Sequence, residues 1–213
     1  MSHEDLIVTL ASLATPVKRL PAPAVRMARW VLLASLVVGV GIAWRGLRQN
    51  WAAALVDPSF IVTTVLIVLV ALLAAWATFA LAVPGALRSP IMKWAPLAAL
   101  GLWGVVLIQQ VGLNALVPTL FGEPVVAGCM WKTYGIAVGP ALIIILLARR
   151  AAPLDWRWTG GLAALSALAF GVVGTELICP VTRHVHLFSW HFLPVVGMTI
   201  LAFCAGSIWP RRH

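Results

Sequence analysis

Apolar positions along this chain mostly run in blocks rather than alternating with polar ones. Six blocks reach or approach the length of a bilayer-crossing helix: 29–43, 60–83, 95–113, 134–147, 160–177 and 192–208. A helix rises ~1.5 Å per residue and a hydrocarbon core is ~30 Å thick, so about 20 apolar residues make one span. The first block, "WVLLASLVVGVGIAW", is short but bracketed by tryptophans; the fourth, "YGIAVGPALIIILLA", extends upstream into "CMWKT". The N-terminal stretch follows a different pattern. Leu6, Leu10 and Leu13 recur at i, i+4 and i+7 with Ile7 beside them, an apolar stripe along a helix that Ser2 and Asp5 can cap. Pro16 stops that helix, and "LPAPAVR" reads as an extended tether. The pattern predicts an all-α fold, an integral membrane bundle of six transmembrane helices preceded by a short cytoplasmic amphipathic helix. The expected divisions are a partner-binding segment over 1–28, the six-helix domain over 29–209 and a cytoplasmic tail over 210–213.

Composition sharpens the class. The chain is 62% hydrophobic and only 10% charged, with mean hydropathy +1.01, which leaves too little polar surface for a soluble domain of this length. The first apolar run begins after about thirty residues and ends without a small-residue cleavage site, so an uncleaved anchor is expected. Trp30, Trp44, Trp51, Trp94, Trp131, Trp190 and Trp209 lie near the ends of apolar runs, where an indole settles at a bilayer interface.

The +9 formal charge is unevenly placed. With six spans both termini share one side, and that side receives Lys18, Arg19, Arg26, Arg29, Arg88, Lys93, Arg149, Arg150, Arg157, Arg211 and Arg212. Arg45, Arg48, Lys132 and Arg183 fall on the other. Eleven against four places both termini in the cytoplasm.

Candidate chemistry gathers on the opposite face. "CPVTRHVHLFSWH" holds Cys179, His184, His186 and His191, and Cys129 lies fifty positions before Cys179. Cys129 precedes the fourth span and Cys179 follows the fifth, and the short basic loop "RRAAPLDWRW" between those spans favours an antiparallel hairpin. Topology therefore sets the two thiols at similar depth. In an oxidising compartment they can pair as a disulfide or act as a thiol switch. With His184, His186 or His191 they can instead hold a thiophilic ion, although neither CxxC nor HExxH spacing is present. They can also be plain packing residues. His184 and His186 point the same way if the loop is extended, and His191 is expected to hydrogen-bond at the interface beside Trp190.

Glu176, at the outer end of the fifth span, is either a functional intramembrane carboxylate or one that snorkels to water. Cys204 reads as a packing residue. Gln109, Gln110 and Asn114 read as interhelical hydrogen-bonding groups, and "GIAVG" (Gly135, Gly139) has small-xxx-small spacing. Nucleotide-binding loops, nucleophile elbows, paired intramembrane carboxylates and internal repeats are absent from the sequence, so neither catalysis nor transport has a carrier. No enzyme activity, no cofactor and no direct nucleic-acid binding are expected.

An isolated helix as short as the N-terminal one is marginal in water and gains stability by laying its stripe into a partner's groove. The leaflet surface competes as a resting place, encouraged by Lys18 and Arg19, but the helix itself carries Glu4 and Asp5 and no lysine or arginine.

Together these pieces resemble the NrsF-type family of bacterial membrane anti-sigma factors, over nearly the whole chain. The resemblance rests on "LIVTLASLATPVKRLPAP", on Cys129 in "GCMWKTYG" and on "CPVTRHVHLFSWHFLP" from Cys179 to Pro194. It implies that the cytoplasmic N-terminus, through Leu6, Ile7, Leu10 and Leu13, holds an extracytoplasmic-function sigma factor at the inner membrane. It further implies that Cys129 and Cys179 are sensor thiols reporting heavy metals or oxidants; the position of Glu176, His184, His186 and His191 beside them suits supporting roles. The zinc-binding HxxxCxxC motif of another anti-sigma class is absent, so sigma binding needs no zinc. A competing reading makes the Cys/His cluster the working site of a membrane redox or metal-handling protein that does not require residues 1–28. A structural subunit of a larger membrane complex is a third.

Overall fold

The computed structural model describes residues 2–13, 19–83, 90–112 and 127–208, and these are helical with short connections. The helices are α1 (His3–Ser12), α2 (Pro23–Arg45), α3 (Trp51–Ala54), α4 (Pro58–Leu81), α5 (Pro90–Val111), α6 (Ala127–Arg149), α7 (Trp156–Ile178), α8 (His184–Leu187) and α9 (Leu193–Ile208). A π-helical turn, Phe188–Phe192, joins α8 to α9 without a break. Six elements are long and apolar enough to cross a membrane: α2, α4, α5, α6, α7 and the continuous run His184–Ile208. The expected six spans are therefore present, with shifted ends. The first begins at Pro23, because Ala22 is extended and proline is well suited to a helix's opening turn. The last begins at His184, inside what was read as loop. Pro16, Lys18, Arg88, Asn114, Trp209, Arg211 and Arg212 lie outside the described residues.

The N-terminal helix forms with the expected cap. Ser2 Oγ accepts from the Asp5 N–H and the Asp5 carboxylate accepts from the Ser2 N–H, a reciprocal pair that satisfies two otherwise free donors. None of the residues of α1 is buried.

The spans assemble around α7, which packs most extensively against α4, α6 and α9. Small side chains on α7 permit this. A Cβ at Gly171 would stand 2.8 Å from the Thr133 carbonyl oxygen and 2.9 Å from the Ala137 Cβ, both on α6. Gly206 meets the backbone of Trp156 and Arg157 in the same way, holding α9 against the start of α7. Of the "GIAVG" pair, Gly139 abuts Val37 of α2, whereas Gly135 opens onto no neighbour, so the small-residue spacing serves one contact rather than two. Leu32, Leu36, Val40, Val65, Leu142, Leu146 and Leu201 face outward with no polar cover, as a lipid-facing surface requires.

Arginine closes the bundle on both faces. The buried Arg26 guanidinium donates to the Phe79 carbonyl (3.3 Å) and the Leu147 carbonyl (2.7 Å), among the last carbonyls of α4 and α6, and lies 4.9 Å from the Phe79 ring centroid. Those carbonyls lack intrahelical donors, and a cation there also meets the negative ends of two helix dipoles. The start of α2 thus sits beside the ends of α4 and α6, the alternation of direction that six spans demand. Trp30, one turn on, was expected at the interface. It is fully buried instead, because its indole N–H donates to the Pro140 carbonyl at 2.9 Å. Trp44, Trp51, Trp94 and Trp131 remain exposed near helix ends.

Arg26→Leu should orphan two buried carbonyls. At roughly 1–3 kcal/mol per unsatisfied group the stability loss is about 2–6 kcal/mol. Unfolding of the purified protein in detergent measures it, and an unchanged midpoint would show that the guanidinium does not hold these helix ends.

Candidate functional site

The α6–α7 hairpin sets the two thiols together. Cys179 is the first residue beyond α7, its N–H still bonded to the Thr175 carbonyl at 2.8 Å, and Cys129 lies in the first turn of α6. Their sulfurs are 3.3 Å apart, unbonded, and both residues are buried. Thr133 and Thr175 stitch the helices one turn further in. Their hydroxyls lie 3.0 Å apart, and each also reaches a carbonyl of its own helix, Cys129 O at 3.1 Å and Gly171 O at 2.9 Å. Cys179 lies outside the spans and is held below the ordinary thiol range. The Cys129 thiol is the largest influence, aided by the facing His186 and His191 imidazoles and opposed by burial.

The histidine segment is helical, which changes the expected grouping. In a helix, residues two apart do not share a face, so His184 and His186 diverge. His186 is fully buried with Nε2 3.6 Å from Cys179 Sγ, while His184 turns toward a neighbouring cleft. His191, expected at the interface, is fully buried instead, and neither ring nitrogen finds a hydrogen-bond partner among the described residues. The π turn accounts for this. In an α-helix residues five apart lie roughly 140° apart around the axis, whereas one π turn, bonded i to i+5, swings the fifth residue back. The imidazoles of His186 and His191 accordingly meet edge to face at 5.4 Å. One potential ligand atom from each of Cys129, Cys179, His186 and His191 falls within 4.8 Å of all the others. Of the three histidines named from sequence as possible ligands, His186 and His191 lie with the two cysteines and His184 does not.

Beside this cluster lies a narrow cleft lined by Arg48, Asp57, Ser59, Phe60, Glu176, Cys179, His184 and His191 among others, with room for about one water molecule. Glu176 is buried in its wall, so it does not snorkel. One carboxylate oxygen accepts from Thr64 Oγ1 at 3.2 Å and the other has no partner among the described residues. Arg48, counted from sequence only as an outer charge, is buried here. Its Nη1 donates to the Glu176 carbonyl (3.4 Å), its backbone N–H to the Leu177 carbonyl (3.0 Å) and its Nε to Asn50 Oδ1 (2.9 Å). It caps α7 as Arg26 caps α4 and α6. A basic residue shortly after a span was the only sequence signal for this role.

The remaining candidates lie elsewhere. Leu6, Ile7, Leu10 and Leu13 are exposed on α1. Cys204, expected to pack inside the bundle, points outward from α9 instead. Gln109 is exposed, and Gln110 is half-buried with Oε1 unpartnered among the described residues.

Residues 10–211 match the model of a protein family described as NrsF, negative regulator of sigma F. The chain belongs to the NrsF family. Its coarse role follows: a multi-pass membrane protein of a family that restrains a sigma factor. No curated protein and no solved structure matches it. The matched NrsF region opens at Leu10, within α1, and takes in every residue of the Cys/His cluster.

Mild oxidation of the purified protein should consume two thiols and join Cys129 to Cys179 within one chain. Maleimide counting before and after oxidation reads this, and Cys179→Ser should abolish it. Intermolecular dimers through Cys204 as the main product would contradict the 3.3 Å pairing.

Proposed function

We propose that this protein is an anti-sigma factor of the bacterial inner membrane with both termini in the cytoplasm. Its N-terminal segment, residues 1–28 by sequence and in practice the residues before Pro23, captures an extracytoplasmic-function sigma factor; residues 29–209 anchor it and 210–213 form a cytoplasmic tail. The observation that carries this reading is α1, a capped helix that presents Leu6, Ile7, Leu10 and Leu13 and buries none of them in its own bundle. A stripe without a home in the fold suits a helix-in-groove contact. On the other face, the Cys129–Cys179 pair reports heavy-metal or oxidative stress. Modification of the pair shifts the packing of α6 against α7 and favours a conformation that binds sigma factor less well.

A second reading, a membrane redox or metal-handling protein, is favoured by the four clustered soft side chains alone. It has no use for α1, and deletion of residues 2–13 would leave its activity intact.

Affinity purification from unstressed membranes should recover a sigma factor with the parent protein and lose it with Leu10→Asp. Recovery of none with either protein would overturn the anti-sigma reading. The double substitution Cys129→Ser/Cys179→Ser should leave membrane insertion intact and abolish the response to inducer; unchanged induction would remove the sensor role.

A further inference from the structure

The proposed sensor pair does not stand alone, and its surroundings say which stimulus it suits. Four side chains converge: Cys129 from the start of α6, Cys179 from just beyond the end of α7, His186 from α8 and His191 from the π turn. All four are buried, and their ligand atoms lie within 4.8 Å of one another. Metal–sulfur bonds of ~2.3 Å and metal–nitrogen bonds of ~2.0–2.1 Å make a tetrahedron with edges of roughly 3.4–3.8 Å. The sulfurs, at 3.3 Å, and His186 Nε2, at 3.6 Å from Cys179 Sγ, are near that spacing already, and no pair of the four ligand atoms is more than 4.8 Å apart. We propose that Cys129, Cys179, His186 and His191 form a four-ligand site for a soft divalent d10 cation, of the Zn²⁺ or Cd²⁺ class. This deepens the sensor reading and rests on it for its regulatory meaning, though not for its chemistry.

Three observations support the assignment beyond proximity. His191 is fully buried and faces Cys179, yet neither of its ring nitrogens makes a hydrogen bond of ordinary length among the described residues, and His186 Nδ1 makes none either. Imidazoles in that state are uncommon in a protein interior and are satisfied by a ligand. The π turn that redirects His191 is rare, and such turns concentrate at functional sites. Charge also closes: a divalent ion with two thiolates and two neutral imidazoles is neutral, the condition for burial in a low-dielectric bundle. Binding a divalent ion leaves both sulfurs as thiolates, and any proton the pair still carries leaves to water through the cleft that also admits the ion. Four protein ligands leave no open coordination position, so the site suits sensing rather than catalysis.

The test uses the full-length, reduced protein in detergent, titrated with Cd²⁺ alone. One Cd²⁺ per chain should bind with a thiolate-to-cadmium charge-transfer band in the ultraviolet. His186→Gln and His191→Gln should each weaken binding by at least the ~10–100-fold that loss of an outer-sphere partner costs. His184→Gln should bind as the parent does, and thermal unfolding checks that every variant is folded. Absence of the band, or Cd²⁺ held as tightly by folded His186→Gln and His191→Gln as by the parent, would overturn the four-ligand site. Sigma-factor release is scored separately. Tight Cd²⁺ binding that depends on all four residues without release would refute the sensor reading and leave the site standing. Release by an oxidant, with no cadmium band, would do the opposite.

Discussion

Gly171 sits where α7 comes so close to α6 that any side chain would stand 2.8 Å from the Thr133 carbonyl oxygen. This approach governs the geometry of the face that carries the Cys/His cluster. It lets Thr133 and Thr175 meet at 3.0 Å, and two turns beyond Gly171 it leaves Cys179 opposite Cys129. A bulkier residue at Gly171 would separate the helices and the sulfurs together. Because α7 also carries the contacts to α4 and α9, the same helix orients the cleft and the histidine segment around those sulfurs.

The two ends of the bundle are finished by the same device. A buried arginine supplies the donors that the last turn of a helix cannot provide for itself, Arg26 for α4 and α6 and Arg48 for α7. In a bilayer this matters more than in water, since an unsatisfied carbonyl has no solvent to turn to. Part of the charge asymmetry along the chain is therefore structural, and positive-inside counting treats Arg26 and Arg48 as free cations when neither is.

Block hydrophobicity made the spans legible because each helix must satisfy its backbone internally and meet lipid along its length. Hairpin topology made the meeting of Cys129 and Cys179 legible, since helices in sequence must run antiparallel. His191 was beyond reach because its position depends on a π turn that Phe188–Phe192 adopts in context and that apolar periodicity does not encode. The paired reading of His184 and His186 failed for the complementary reason, an assumed extended loop where the chain is helical. Trp30 illustrates a further limit. An indole near a span's end is a fair interface anchor until a backbone carbonyl, here that of Pro140, lies within its reach.

α6 joins the two faces in a single piece. Cys129 lies in its first turn, and the Leu147 carbonyl held by Arg26 lies in its last, some 30 Å apart along a helix of 23 residues. Pro140, midway, interrupts the helix's own hydrogen bonding, and the Trp30 indole grips it there from α2. At its proline the helix is thus fastened to the same helix that leads back to α1. If, as proposed, modification of the thiols weakens sigma-factor binding at α1, linkage runs both ways: sigma-factor occupancy of α1 opposes modification of the thiols by an equal factor. The threshold at which this protein responds would then be set partly by how much sigma factor the cell contains, so that each released molecule changes the sensitivity of the proteins still holding theirs.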